Sequence, residues 1–161
     1  MKKHTSMLAI AFILLAGTAA KADSLTITLD SPVQTGGAGE FKFEATVTNT
    51  SNSTIYLNGD SSYVDSPLIL DDSSYNNSWP QSLGAGDSYT GLLFIVDVPT
   101  GVADGLYTGY FDITGGADSN AGATAGEADF DITVTPEPSS FLLLGTGLLG
   151  LATLAGCKRF A

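Results

Sequence analysis

The chain has 161 residues, 17 acids against six bases, and a net charge of −11 at pH 7. Sixteen of the acids but one base, Lys42, fall between residues 23 and 135, so no basic footprint exists there for a polyanion and nucleic acid is excluded as a partner. The single histidine, His4, and the single cysteine, Cys157, lie at the two ends, which removes disulfides, thiol catalysis, histidine general bases and His- or Cys-ligated zinc from the middle of the chain.

Residues 1–22 read as a signal peptide. Lys2 and Lys3 make a positive start, residues 7–16 an apolar run, and Ala20-Lys21-Ala22 a small-x-small cleavage site that places the mature start at Asp23. Thr18-Ala19-Ala20 is a competing site. The run is too short for a comfortable membrane span, so the leader is read as cleaved and the chain as exported.

Residues 23–135 suit one domain with one core. Four segments alternate apolar and polar residues: Leu25, Ile27 and Leu29; Phe41, Phe43, Ala45 and Val47; Tyr107, Gly109, Phe111 and Ile113; Ala128, Phe130, Ile132 and Val134. Period two gives each a dry and a wet face. Shorter strands are predicted around Ile55-Tyr56-Leu57 and Pro67-Leu68-Ile69-Leu70. Leu92-Leu93-Phe94-Ile95-Val96 is apolar on both sides, which fits either a strand covered on both faces or a bulge that shifts the register. Gly36-Gly37-Ala38-Gly39, Asn58-Gly59-Asp60 and Gly84-Ala85-Gly86-Asp87 punctuate the strands as turns. No stretch keeps helical spacing for ten residues. The expected fold is all-β, a single antiparallel sandwich of about seven strands, Ig-like but without the cysteine pair. Tyr107, after Asp104-Gly105-Leu106, resembles the tyrosine corner of Greek-key sandwiches, whose hydroxyl bonds back to nearby backbone. Glu44, Asp112, Asp129 and Asp131 occupy outward positions, where like charges oppose edge-to-edge pairing between chains.

Chemistry in this domain rests on carboxylates and aromatics. Asp60, Asp65, Asp71 and Asp72 fall between candidate strands and are weak calcium candidates, since hard cations want oxygen ligands from close loops. Asn58, Asp118 and Asn120 extend that set, although no EF-hand spacing is present. The same acids lie near Tyr56, Tyr63, Tyr75 and Trp79, so a carboxylate pair for glycoside hydrolysis is the weakest of the readings. Trp79, in a loop before Pro80, is the candidate glycan contact. Asn49-Thr50-Ser51, Asn52-Ser53-Thr54 and Asn76-Asn77-Ser78 match the N-glycosylation pattern, which chance explains in so Asn- and Ser-rich a region.

The last 26 residues differ in kind. Pro136-Glu137-Pro138-Ser139-Ser140 precedes an apolar run over residues 141–157, and Lys158-Arg159 follow. A helix of that run spans about 25 Å, the short limit for a bilayer, and Gly145, Gly147, Gly150 and Gly156 weaken it by about 1 kcal/mol each. The basic pair holds the end on the cytoplasmic side. Motif, span and basic end in this order closely resemble the PEP-CTERM sorting signal. Departures are small: Cys157 sits before the basic pair, and that pair is short. Thr46-Val47-Thr48-Asn49 and Tyr56-Leu57-Asn58-Gly59-Asp60 are similar to the small β-sandwich ectodomains that carry this tail. The resemblance implies export by a Gram-negative bacterium that makes exopolysaccharide. It also implies recognition through Pro136, Glu137 and Pro138 by an exosortase, a membrane cysteine protease that cuts near the motif.

Together these readings predict a signal helix (1–22), a β-sandwich ectodomain (23–135) and a sorting signal (136–161), with a hydrophobic helix over 141–157. The expected protein is no enzyme and needs no cofactor, calcium being the one candidate. It is anchored transiently in the membrane by its tail, then sorted to the cell surface or extracellular matrix as a structural or adhesive component, with exopolysaccharide a candidate partner. The alternative is a carbohydrate- or calcium-binding module.

Overall fold

The computed structural model describes residues 24–135 and 146–148. The leader with Ala20 and Ala22 and its expected helix, the sorting residues Pro136, Glu137 and Pro138, and most of the apolar run lie outside the described residues; of the hydrophobic helix expected over 141–157 only residues 146–148 are described, and they are helical. Among the described residues, no helix is long and apolar enough to cross a membrane.

The elements run β1 (Leu25–Leu29), β2 (Val33–Gly36), β3 (Gly39–Asn49), β4 (Ile55–Val64), β5 (Ile69–Asp71), α1 (Ser73–Ser78), β6 (Ser82–Leu83), β7 (Ser88–Val98), β8 (Gly105–Gly116) and β9 (Ala123–Val134). They form two sheets, ordered β1-β3-β7-β5 and β2-β9-β8-β4-β6. The first has the ABED order of a constant-type immunoglobulin sheet, and β9-β8-β4 of the second is its GFC partner. The expected sandwich is therefore present, with corrections. Among the described residues nine strands replace about seven, because β2 and β6 extend the second sheet. That sheet is mixed rather than antiparallel, because β2 lies parallel to β9 with Val33 opposite Asp131. The six-residue α1 was not anticipated; one turn and a half of Ser, Asn and Tyr is too short to carry a periodic signal.

The apolar members of the alternating segments face one another between the sheets. Phe43, Phe94, Phe111 and Phe130 meet at the centre, each essentially inaccessible to solvent. Phe43 and Phe94 stack at 4.7 Å, Phe94 and Phe111 at 5.0 Å, and Phe130 tilts against Phe43 and Phe94 at 4.8 and 4.9 Å. Gly109 faces the same interior, and a Cβ there would collide with the Phe130 ring and the Tyr63 carbonyl. The ring occupies the space that any other residue would need.

The doubly apolar run in β7 is resolved by a bulge. Phe43 pairs with Phe94 but Glu44 pairs with Leu92, so Leu93 is the extra residue. Leu93 and Phe94 are consecutive and both fully buried, which a regular strand forbids and a bulge allows. The tyrosine corner is also formed: the Tyr107 hydroxyl donates to the Ala103 carbonyl at 3.0 Å, across the turn into β8.

Asn49 is the one fully buried polar side chain among the described residues. Its amide donates to the carbonyls of Ser53, Leu83 and Gly84 at 2.8–2.9 Å, and its oxygen accepts from Ser51 N and Oγ. It ties the end of β3 to the loops before β4 and β7. The Asn49-Thr50-Ser51 match is thereby closed to glycosylation, since the amide nitrogen is enclosed.

Phe94→Ala is expected to lower the unfolding free energy by about 3–5 kcal/mol in urea titration, because it empties the centre of the aromatic cluster. Asn49→Asp is expected to destabilise by several kcal/mol in the same assay, since a buried carboxylate would face three carbonyl oxygens with no donor of its own.

Candidate functional site

The acids singled out in the sequence do not converge on one point. Asp65 follows β4 and is engaged by its neighbours: Oδ2 accepts from Thr108 N at 2.8 Å and Thr108 Oγ1 at 3.0 Å, and Oδ1 accepts from the Tyr63 hydroxyl at 3.0 Å. The Thr108 backbone bond, then those from Tyr63 and the Thr108 hydroxyl, hold its carboxyl below the ordinary value. Asp71 Oδ1 accepts from Ser73 N at 2.9 Å at the start of α1, and hydrogen bonds from Ser73 lower its pKa. Asn58 donates through Nδ2 to the carbonyls of Asp118 and Ala121, both at 2.9 Å. Asp118 Oδ1 accepts from Asn120 N. The Asp71 and Asp118 contacts cap turns, whereas Asp65 is bonded across to Thr108 of β8 and Asn58 to the segment between β8 and β9.

Asp60 and Asp72 do meet. Asn58 is an extra residue in β4, where the pairing with β8 shifts between Leu57 and Gly59. Beyond it Asp60 lies opposite Ile113, a fully buried residue, and so is turned toward the interior edge of the sandwich. α1 closes that edge. Tyr75 packs edge-on against Phe111 at 5.6 Å and its hydroxyl donates to the Gly59 carbonyl at 3.2 Å. Burial, and next the charge of Asp60, push the Tyr75 hydroxyl well above its usual range. Burial also raises the Asp60 carboxyl from 3.8 to about 6, helped by the charge of Asp72 and a hydrogen bond shared between the two carboxyls; hydrogen bonds from Asn76 and from its own backbone act the other way. Among the described residues there is no group of three or more acid, His or Cys side chains placed to hold a metal ion.

Trp79 closes the same edge from the other sheet. Its indole N–H donates to the Leu92 carbonyl at 2.8 Å, beside the bulge. Its ring packs edge-on against Tyr89 at 4.9 Å and tilts against Tyr75 at 5.9 Å. Trp79 is half-buried rather than displayed in a loop. With Asn58, Tyr75, Asn76 and Gln81 it lines a shallow pocket of about 180 Å³. Sequence reasoning missed the Asp60–Asp72 pairing and the part of Asn76, because an insertion in β4 and a short helix bring them together. The doublet Asp71-Asp72 was the visible signal, yet it did not show which of the two turns inward.

The described residues are thus an all-β sandwich of Ig-like order, whose last strand ends at Val134, two residues before Pro136. The comparisons with known proteins add the rest. Residues 134–159 match the family described as the PEP-CTERM protein-sorting motif. The chain therefore carries a PEP-CTERM sorting signal at its C-terminal end, as its sequence suggests, and that signal implies exosortase sorting, export and a surface or extracellular location. None of the curated proteins matches the chain. Among solved structures, it is similar to native alpha-2-macroglobulin from Escherichia coli, from domain MG7 to the C-terminus, at 17% identity and a TM-score of 0.50 over 71% of this chain and 17% of that one. It is similar also to Salmonella alpha-2-macroglobulin reacted with methylamine, at 19% identity and a TM-score of 0.51 over 70% and 7%. The chain spans a small part of those proteins, and the likeness is one of fold alone.

Between pH 3.8 and about 6 the folded chain holds a proton on Asp60 that the unfolded chain releases. Protonation there favours folding, so the contribution is complete below 3.8 and is lost as pH rises through 6. Solvent access to the pair reduces it to about 1 kcal/mol. Asp60→Asn is expected to flatten this part of the profile and to raise the melting temperature by a few degrees at pH 7.5, while changing it little at pH 4. Parallel thermal melts of the two proteins across that range check it.

Proposed function

We propose that the chain is a non-enzymatic structural or adhesive component of the cell surface or extracellular matrix of a Gram-negative bacterium. In this reading residues 1–22 are removed after Ala22 and the ectodomain is exported. The C-terminal run holds it briefly in the membrane until an exosortase acts at Pro136, Glu137 and Pro138. The observation that carries the reading is the sorting motif joined directly to the last strand of a disulfide-free acidic sandwich.

The site geometry supports the non-enzymatic part. Asp60 and Asp72 share a hydrogen bond, closer than the roughly 5–9.5 Å that glycosidase carboxyl pairs keep across a sugar. The side chain of Asp65 is bonded to Tyr63 and Thr108, and that of Asp71 to Ser73. The same commitments weigh against calcium, which wants six to eight oxygens, and favour sugars over calcium within the binding-module alternative. Exopolysaccharide is the partner this location offers.

Replacing Pro136, Glu137 and Pro138 with alanine is expected to leave the protein at its longer mass in the membrane fraction. Intact-mass measurement and fractionation from the native cell check it, and unchanged processing with unchanged release would sink the sorting reading.

A further inference from the structure

The outer face of the β2-β9-β8-β4-β6 sheet carries a feature that the interior does not explain. Tyr63 of β4 lies directly opposite Tyr110 of β8, and Tyr110 opposite Asp129 of β9. The two rings stack against one another, with planes 25° apart and centroids 6.0 Å apart. Both are open to solvent, Tyr63 at 51% and Tyr110 at 36%. One row along, Thr108, Asp131 and Val33 sit side by side. Val33 and Leu106, each 61% exposed, lie on the same face on the far side of Thr108 and Asp131. Tyr63, Thr108, Tyr110, Asp129 and Asp131 line a shallow depression of about 520 Å³.

The platform is held in place before anything binds. Asp65 accepts from the Tyr63 hydroxyl and also from the backbone and hydroxyl of Thr108, so one carboxylate fixes the ring of β4 to the neighbouring strand. Such ordering reduces the entropy lost on binding. The carboxylates of Asp129 and Asp131, by contrast, have no side-chain partner among the described residues. They are acceptors open to a ligand's donors, beside the two tyrosine rings.

We propose that this face binds an uncharged or amine-bearing polysaccharide, its C–H groups packing against the exposed surface of the Tyr63–Tyr110 pair and its hydroxyl or ammonium groups donating to Asp129 and Asp131. Charge complementarity selects that occupant. Asp65, Asp112, Glu127, Asp129 and Asp131 share the face, and the sole base of the ectodomain, Lys42, lies in β3 of the other sheet, so an acidic glycan is repelled. A basic peptide fits less well. Exposed ion pairs alone contribute little, and the flat middle of a sheet offers no main-chain groups for strand addition. Asp65 is a positioning residue, acting through Tyr63. The inference rests on the adhesive reading above and gives it a place on the molecule, away from Trp79.

The test is calorimetric titration of the purified full chain with cellohexaose, the glucosamine hexamer, the galacturonate hexamer and oligolysine. Saturable binding of the neutral or the amino hexamer, without binding of the acidic one, is expected. Tyr63→Ala or Tyr110→Ala is expected to weaken it about tenfold. The double variant Asp129→Asn/Asp131→Asn, which disturbs no core residue, should weaken it too, and Trp79→Phe should leave it unchanged. Melting temperatures of the surface variants should match the parent. No saturable binding of either hexamer, binding indifferent to both tyrosines, or binding of oligolysine alone overturns the proposal. If sugars fail while the chain is still exported and processed, this site falls and the sorting reading stands.

Discussion

The contact between four phenylalanines at the middle of the sandwich carries the structure. Phe43 and Phe94 come from one sheet, Phe111 and Phe130 from the other, and their rings pack at 4.7–5.0 Å. A small exported domain often uses a disulfide across this layer. Here there is none, and burial of large aromatic surfaces has to supply the cohesion. The acidic exterior makes this demand heavier, because self-repulsion among so many carboxylates opposes compaction. The bulge at Leu93 and the bare Cα of Gly109 both serve this layer, one by delivering an extra apolar side chain and the other by leaving room for the Phe130 ring.

From that layer outward, polar groups are used to close corners. Asn49 gathers three carbonyls at one end of the fold, and Tyr107 pins the turn into β8. Along the open edge, Tyr75 bonds to β4 and Trp79 to β7, so α1 acts as a clasp between the sheets. The carboxyl pair of Asp60 and Asp72 is a by-product of that clasp. A segment that must cover the edge brings a second acid against the first, and a raised pKa follows from crowding and partial burial. Perturbed acids commonly mark active sites, but here the geometry of closure accounts for the perturbation.

The two ends of the molecule's story obey different physics. The sandwich depends on side-chain packing in three dimensions. The sorting signal depends on the linear order of a proline motif, a short apolar run and a basic end. Strand β9 stops at Val134, where the motif begins. The fold thus hands the signal over without a spacer long enough to separate them widely.

Much of the architecture is legible in order along the chain. Alternation in β1, β3, β8 and β9 names the inward faces because successive strand residues point to opposite sides, and Asp104-Gly105-Leu106-Tyr107 announces its corner. The sorting tail is readable for the same reason, since its recognition is itself linear. Pairing partners are not. The parallel seat of β2 on β9, the edge position of β6 and the helical turn at Tyr75 depend on which surfaces remain uncovered after the larger strands have paired. The encounter of Asp60 with Asp72 and the alignment of Tyr63 with Tyr110 belong to that second group. A one-residue change in register moves a side chain to the other face of the sheet, and register is set by contacts between segments far apart in the chain.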